Sequence, residues 1–391
     1  MRALLISNGS GEDLIAAQLG RRWRERQPGL ELRALALVGE GLFYQRAGIE
    51  LLPPRFTPPS QGFAYLHPGL LWQDFQAGLG RHLLQSLSSL KALRGEIDCA
   101  LAVGDIVAVL AASRLRAPFA FYGAALSDHY LGAAGQAGRT CYDPLQIQIL
   151  KHRAALVFAR DDLTAANLRR RGLDAHCDGN PILDVLDSLG SAAACPYTRS
   201  ADRACILLLP GSHADAPANF ALLLQQLELS LDTPRDWLAI CAPQLERAQL
   251  ETPLAATGWQ RMGQAQWQKL ASRLWLLDGH CFGQALAWAD LAIGLAGTAN
   301  EQCVASGLPV VAFATPGRQY NWAFGEAQQR LLGAGLSFLG DPHPLLLARQ
   351  LDRMLGEPGY RAAAAVVARE RFGTPGADQR MIARLKTYFG S

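Results

Sequence analysis

The stretch from residue 291 to residue 317 combines residue types that could hold a phosphorylated ligand. It runs LAIGLAGTANEQCVASGLPVVAFATPG, so an apolar run ends at Gly297, Thr298 and Ala299, and a helical segment and a second apolar run follow. The first N–H groups of a helix have no intrahelical partner and attract an anion such as phosphate. Glu301, on the first turn of this helix, could bind the two hydroxyls of a ribose. The stretch therefore predicts half of a nucleotide-sugar site, with plain helix capping as the structural alternative.

A second glycine turn has the same setting. The apolar run at 205–209 is followed by Pro210 and then by Gly211, Ser212 and His213. Gly211 and Ser212 predict a second phosphate turn. His213 could add a cation if it is protonated, although a lone histidine is more often an ordinary surface residue.

Three carboxylates in the first half of the chain also follow predicted strands. Asp105 comes directly after the apolar run at 98–103, and Glu12 and Asp13 follow a glycine turn at 9–11. Transfer of a group to a hydroxyl needs a base that accepts the hydroxyl proton. Asp105 is our candidate for that base, and Glu12 and Asp13 are candidates for a shared acid–base or acceptor-binding role. Capping of a helix N-terminus is the structural alternative for all three.

The elements that position these residues alternate along the chain. Helical stretches separate most of the apolar runs that predict strands, which lie at 2–7, 32–38, 98–103, 118–122, 155–159, 205–209, 237–241, 273–277, 291–295 and 310–314. This alternation predicts an α/β protein with two successive doubly wound domains. Ligands bind at the carboxyl ends of the strands in such sheets, where the four glycine turns at 9–11, 104–105, 211–213 and 297–298 are expected. Two such domains facing each other would form a cleft.

A length of 391 residues also favours two domains. We predict an N-terminal, acceptor-binding Rossmann-like domain at 1–184 and a C-terminal, nucleotide-sugar-binding Rossmann-like domain at 202–376. A helix at 377–391 is expected to pack back on the first domain. The segment 188–200 is rich in Ala, Ser and Gly, as suits a linker.

Composition excludes several classes of partner. A net charge of +3 is too small to indicate nucleic-acid binding, and eight cysteines without a C-x-x-C pair indicate neither zinc nor disulfides. No D-x-D pair stands at a strand end, so we expect no divalent metal and no cofactor. The sequence shows no signal peptide and no run of the roughly 20 apolar residues that a membrane span needs, which predicts a cytoplasmic protein.

One region departs from the alternation. Residues 53–80 begin with closely spaced prolines and continue with a dense group of aromatic and aliphatic residues that includes Phe63, Leu71 and Trp72. This group could be a loop and helix packed on the core, or an apolar flap that touches a lipid or a bilayer surface. We assign Phe63, Leu71 and Trp72, together with Gly11 of the first glycine turn, to an acceptor and lipid site.

Several stretches resemble motifs of the lipid-A-disaccharide synthase family. SNGSGEDLIAAQL is similar to its opening S-A-G-E-x-S-G-D-x-L-G-A-x-L, GDIVAVLAASRLRAPFAFYGA to its P-D-F-N segment, and GNPILDVL to G-H-P-L-L-D. LLLPGSHADAPANF is similar to L-P-G-S-R with its helix, and LAGTANEQCVASGLPVVAF to S-G-T-A-x-x-E. His213 replaces the family's arginine, and SDHYLGAAGQ replaces its Trp-rich segment.

The resemblance implies the GT-B fold, in which two Rossmann-like domains face each other across a cleft. It implies an inverting glycosyltransferase that moves a sugar from a UDP-sugar, UDP-N-acetylglucosamine-like or a UDP-hexose, to a lipid acceptor. Asp105 then matches the family's catalytic acidic residue, and Gln319 could contact the donor sugar. The protein would be peripheral to the inner membrane at its cytoplasmic face, and a homodimer is left open. Two alternatives are a UDP-N-acetylglucosamine 2-epimerase, which has the same fold, and a non-catalytic nucleotide-sugar-binding or scaffold protein.

Overall fold

The computed structural model of the protein describes residues 1–56, 76–189, 195–317 and 320–390. The chain divides into two compact units, one formed by Met1–Val185 with Phe372–Ser391 and the other by Leu186–Arg371. The chain thus returns to the first unit at Phe372, five residues before the helix start expected at 377. At this point the N–H of Asn180 donates to the carbonyl of Phe372 (2.9 Å), a hydrogen bond within the first unit.

Within the described residues, the first unit contains a parallel seven-stranded sheet. Its strands are β1 (Arg2–Ser7), β2 (Glu31–Ala36), β3 (Glu50–Leu51), β4 (Cys99–Val103), β5 (Phe119–Gly123), β6 (Ala154–Ala159) and β7 (Ala175–His176), in the order β3-β2-β1-β4-β5-β6-β7. Its helices in the first half of the chain are α1 (Ser10–Arg26), α2 (Leu42–Arg46), α3 (Leu79–Ala92), α4 (Ile106–Ser113), α5 (Ala133–Gln136), α6 (Pro144–Arg153) and α7 (Asp162–Arg170), and α8 (Ile182–Leu189) follows them. β4, β5 and β6 are apolar throughout, because helices cover both faces of a parallel sheet.

The second unit contains a mixed sheet, eight-stranded over the residues that the structure describes. Its strands are β8 (Ala204–Leu209), β9 (Arg235–Cys241), β10 (Gln260–Arg261), β11 (Gln266–Lys269), β12 (Ser272–Asp278), β13 (Leu291–Gly294), β14 (Val310–Ala312) and β15 (Leu336–Phe338), in the order β10-β11-β12-β9-β8-β13-β14-β15. Its helices are α9 (Ala216–Gln226), α10 (Arg247–Ala256), α11 (Phe282–Trp288), α12 (Thr298–Ala305), α13 (Trp322–Leu332), α14 (Pro344–Gly356) and α15 (Gly359–Phe372). β10 pairs antiparallel with β11, and β11 pairs antiparallel with β12.

The strand order places a topological switch point in each unit. In the first unit the chain runs from β1 to β2 and β3 on one side, then crosses to β4 on the other side of β1. In the second unit it runs from β8 to β9 and then crosses to β13 on the other side of β8. Ligands of doubly wound sheets bind at the carboxyl ends of the strands beside such a switch. The strand pairs β1/β4 and β8/β13 therefore mark where a site is expected.

The C-terminal helix α16 (Ala377–Phe389) is part of the first unit and packs on α1. The buried carboxylate of Asp378 accepts hydrogen bonds from Gln18 Nε2 (2.9 Å) and Arg22 Nε (3.0 Å). Asp184 accepts from the backbone N–H of Asp378 (2.8 Å) and thereby satisfies a donor at the start of α16. Among the helices of the described residues, none combines the length and apolar character that a membrane crossing requires.

Candidate functional site

Two polar side chains meet at the switch point of the first unit. Asn8 follows β1 and Asp105 follows β4, and Asn8 Nδ2 donates to Asp105 Oδ1 (2.7 Å). The backbone N–H of Val107 donates to the same oxygen (2.8 Å), so Asp105 is the N-cap of α4. Gly104 makes room for this pair, because a Cβ there would lie 2.0 Å from Asn8 Oδ1. The capping role that the sequence left open is therefore present, and it orients the carboxyl at the carboxyl edge of the sheet.

The surroundings of Asp105 favour a base. Partial burial raises the pKa of its carboxyl above the ordinary value, and hydrogen bonds from Val107 and Asn8 oppose that rise. A carboxylate whose pKa is raised binds a proton more strongly and is a better proton acceptor. The same geometry can thus serve capping and proton transfer together.

Glu12 and Asp13 both lie on the first turn of α1 but face different surroundings. Asp13 is 2% exposed and accepts a hydrogen bond from Ser7 Oγ (2.6 Å), and Ser7 in turn shares a hydrogen bond with the hydroxyl of Tyr44. Burial raises the pKa of Asp13 to about 8, so this carboxyl carries a proton at neutral pH. Glu12 is half-buried and its carboxylate lies over Gly9, where a Cβ would be 2.4 Å from Glu12 Oε2. The geometry favours a structural role for Asp13 and leaves Glu12 nearer to solvent.

The residues assigned to the acceptor are described only in part. Gly11 is the second residue of α1, at the carboxyl edge of the first sheet. Phe63, Leu71 and Trp72 lie outside the described residues, as does Gln319 of the proposed donor site.

The two glycine turns of the second unit follow neighbouring strands. β8 pairs with β13 in parallel, with Leu209 opposite Gly294, and the N–H of Leu295 donates to the carbonyl of Leu209 (2.8 Å). Gly211 and Gly297 therefore come off the same edge of the sheet, at its switch point. Gly211 has a φ of 106°, in the left-handed region that favours glycine.

The turn at Gly297 opens α12 without a side-chain cap. Gly297 is the N-cap, no side-chain hydrogen bond caps this helix in the described part of the chain, and Thr298 and Ala299 begin it. Glu301 lies on the first turn, as the sequence predicts, and is half-buried. Backbone donors and the positive end of the helix dipole at a glycine turn suit an anion.

His213 follows Ser212 in the second glycine turn. The side chain is half-buried, and burial lowers the pKa of its imidazole below the ordinary value. The lowered pKa favours the neutral form of the ring, which can offer an N–H hydrogen bond but no full positive charge.

Solved structures resemble the whole chain. No family model and no curated protein matches the sequence. The UDP-GlcNAc 2-epimerase of Neisseria meningitidis, solved with UDP-GlcNAc, is 14% identical with a TM-score of 0.63 over 99% of this chain and 100% of that one. MnaA of S. aureus, solved with UDP, is 15% identical with a TM-score of 0.61 over 100% and 97%. MurG of Acinetobacter baumannii is 15% identical with a TM-score of 0.56 over 99% and 100%.

The protein has the GT-B fold. The fold class predicted from the alternation of strands and helices is thereby confirmed, since each unit is a Rossmann-like sheet flanked by helices. Because the similar structures are only 13–16% identical to this chain in sequence, the similarity shows the fold alone.

Sequence reasoning missed three polar residues behind the Gly297 turn of this GT-B protein. Asn300, Tyr320 and Gln328 are at most 1% exposed and are hydrogen-bonded to one another. Gln328 Nε2 also donates to the carbonyls of Ala296 (3.2 Å) and Gly297 (2.9 Å). Buried polar groups usually have partners, so a polar side chain in an otherwise apolar position is the signal that could have indicated such a network.

Proposed function

We propose that this protein is a glycosyltransferase that takes its sugar from a UDP-sugar, in the manner of a relative of lipid-A-disaccharide synthase. The observation that carries the proposal is the pair of glycine turns at Gly211 and Gly297, which leave neighbouring strands at the switch point of the second unit. A diphosphate would accept hydrogen bonds from the N–H groups of these turns, and Glu301 would bind the ribose hydroxyls. Ligands named for two of the similar structures, UDP-GlcNAc and UDP, support this choice of donor.

The first unit supplies the proposed base. Asp105 would accept the proton of an acceptor hydroxyl as its oxygen forms a bond to the anomeric carbon of the sugar. The bond between that carbon and the phosphate oxygen breaks at the same time, and UDP leaves with the bonding electrons. Attack from the face opposite to the leaving group inverts the anomeric configuration. Backbone N–H groups near the phosphates would stabilise the charge that develops on UDP.

The acceptor proposed here is a lipid at the cytoplasmic face of a membrane, and the donor is UDP-N-acetylglucosamine-like or a UDP-hexose. The resemblance of the sequence motifs to lipid-A-disaccharide synthase and the apolar composition of the segment around Phe63, Leu71 and Trp72 support this acceptor. Peripheral contact with the membrane would follow from both.

A UDP-N-acetylglucosamine 2-epimerase is the second candidate. The UDP-GlcNAc 2-epimerase of Neisseria meningitidis and MurG of Acinetobacter baumannii are both similar to this chain, with TM-scores of 0.63 and 0.56. An epimerase would act on its nucleotide sugar alone and would need no acceptor hydroxyl. The two candidates therefore differ in whether turnover without an acceptor is possible.

One assay separates them. The protein is incubated with UDP-N-acetylglucosamine or a UDP-hexose, with and without a lipid extract, and released UDP and the remaining nucleotide sugar are quantified. A transferase releases UDP in proportion to glycolipid formed and only with lipid present, whereas an epimerase gives UDP-N-acetylmannosamine without lipid. Failure of every nucleotide sugar to bind in a thermal-shift screen would contradict both, because ligand at a hundred times its Kd stabilises by about 2.7 kcal/mol. The same assay in excess EDTA tests the expectation that no divalent metal takes part.

A further inference from the structure

The side-chain amide of Gln328 can lie in only one orientation. Its Nε2 faces the carbonyl oxygens of Ala296 and Gly297, at 3.2 and 2.9 Å. Its Oε1 accepts from the hydroxyl of Tyr320 (2.7 Å) and from Asn300 Nδ2 (2.8 Å). Carbonyl oxygens can only accept, so an amide turned the other way would set an oxygen against two oxygens. The two backbone carbonyls therefore select this orientation, and both ends of the amide are satisfied.

The carbonyls that select this orientation also show where the N–H groups of the turn point. In a trans peptide the C=O and N–H bonds point in opposite directions. Because the carbonyls of Ala296 and Gly297 are directed at Gln328, the N–H groups of Gly297 and Thr298 are directed away from it. These N–H groups are the donors that a phosphate at the start of α12 would use. Gln328 thus binds the turn from the side opposite to these donors.

Tyr320 links Gln328 to the loop that follows β14. It lies in the loop after β14 and is fully buried, and its carbonyl accepts from the N–H of Thr315 (2.8 Å). Asn300, on α12, donates both to Gln328 and to the carbonyl of Gly294 at the end of β13 (3.1 Å). The loop after β14, the turn after β13 and the first part of α12 are therefore joined through one buried network.

We propose that Gln328 and Tyr320 are positioning residues for the diphosphate of the nucleotide. They hold the Gly297 turn with its N–H groups presented to the phosphates, and they act through the backbone without touching the ligand. This inference rests on the proposed nucleotide-sugar site. It assigns to α13 and to the loop after β14 a part in phosphate binding that the glycine turns alone do not reveal.

The test replaces the amide by a side chain of similar length that forms no such hydrogen bonds. Gln328→Met removes the donor to both carbonyls and keeps most of the buried volume. Gln329→Met is the matched control, since Gln329 is the neighbouring residue on the same helix and is exposed. UDP affinity is measured by calorimetry, and binding of uridine, which lacks phosphate, by ligand-observed NMR. We expect Gln328→Met to weaken UDP binding about tenfold or more and to leave uridine binding unchanged. Gln329→Met should bind both ligands as the wild type does.

Each other outcome contradicts the proposal. Equal UDP affinity in the two methionine variants would show that the turn is oriented without Gln328. A matching loss for uridine and UDP would indicate a general structural role. If Gln328→Met does not fold, Tyr320→Phe, which removes one hydroxyl and keeps the ring, must show the same selective loss for UDP. Wild-type protein that binds no UDP at all would instead contradict the proposed function, and this inference with it.

Discussion

At the scale of single residues, two of the three carboxyls that the sequence singled out in the first unit differ in their surroundings. Asp105 stands at a strand end and is oriented by Asn8 and Val107, whereas Asp13 is enclosed with Ser7 and Tyr44. The type and strand position of Asp105 could be predicted from the sequence. The burial of Asp13 could not be predicted. Tyr44 lies on α2, 31 residues after Asp13 in the sequence, and only tertiary packing brings it beside Ser7.

Asp105→Asn tests the base directly. Asparagine keeps the shape and is a good N-cap, but it cannot accept a proton at neutral pH. We expect a variant that folds and binds UDP-sugar normally but loses about a hundredfold or more in turnover, within the 10²–10⁴ range typical of general base catalysis. Asp143→Asn is the matched control, since Asp143 caps α6 through the N–H of Gln146 (2.8 Å). Near wild-type turnover in Asp105→Asn would show that Asp105 is not the base, and Glu12 would become the next candidate.

Glu301→Ala tests the ribose contact in the second unit. A hydrogen bond to a charged group contributes about 1.5–3 kcal/mol, so loss of the carboxylate should weaken UDP binding by that amount. Calorimetric titration with UDP measures it. Glu326→Ala, which removes an exposed glutamate from α13, should leave the affinity unchanged. Unchanged affinity in a folded Glu301→Ala variant would remove Glu301 from the site.

Asp13 predicts a dependence of stability on pH. Its folded pKa of about 8 lies above the ordinary value of 3.8, so its contribution to stability is fully present below about pH 4 and is lost as pH rises through about 8. Between these limits the contribution falls by about 1.4 kcal/mol per pH unit. Asp13→Asn cannot ionise, so its free energy of unfolding should rise relative to wild type as pH increases from 5 to 8. Urea denaturation at each pH checks this, and a difference that stays constant with pH would mean that Asp13 is not held protonated.

At the scale of elements, the apolar runs predicted the central strands because a buried parallel strand is a continuous run of apolar residues. Short edge strands were missed, as β10 and β11 show: they are two and four residues long and rich in Gln, Arg and Lys, without an apolar run to indicate them. The helix α1 begins at Ser10, so Glu12 and Asp13 are both on its first turn. The network of Asn300, Tyr320 and Gln328 joins three elements and has no local pattern that would predict it.

The turn between β4 and α4 gives a prediction at this scale. Gly104 has a φ of 142°, and a Cβ there would lie 2.0 Å from Asn8 Oδ1. Gly104→Ala should displace Asn8 from Asp105, reduce turnover, and lower the free energy of unfolding by about 1–3 kcal/mol through backbone strain. Gly95→Ala is the control, because Gly95 also has a positive φ (85°) but a Cβ there would meet no atom within 4 Å. Equal turnover in the two alanine variants would show that the contact between Asn8 and Asp105 is dispensable.

At the scale of the whole molecule, the chain makes two units and returns to the first. Phe372–Ser391 belongs with Met1–Val185, and α16 adds Met381, Ile382 and Leu385 to the core that contains Trp23. Sequence motifs predicted two Rossmann-like domains because each repeats a strand, a glycine turn and a helix. What they could not provide is the strand order that puts the two turns of each unit side by side, since that depends on where the chain crosses the sheet.

The last prediction at this scale concerns the lipid acceptor. The apolar composition of the segment at 56–75 predicts that the protein contacts lipid. Its cluster of aromatic and aliphatic side chains suits contact with acyl chains, and burial of apolar area is what drives such binding. Replacing Phe63, Leu71 and Trp72 together by serine should abolish co-sedimentation with liposomes of mixed neutral and anionic phospholipid and leave UDP affinity unchanged. A matched control replaces the exposed Leu84, Leu145 and Leu229 by serine, which removes apolar surface elsewhere and should leave sedimentation intact. Wild-type protein that never sediments with liposomes would contradict membrane contact, whereas equal loss in both triple variants would indicate general surface stickiness in place of a lipid site.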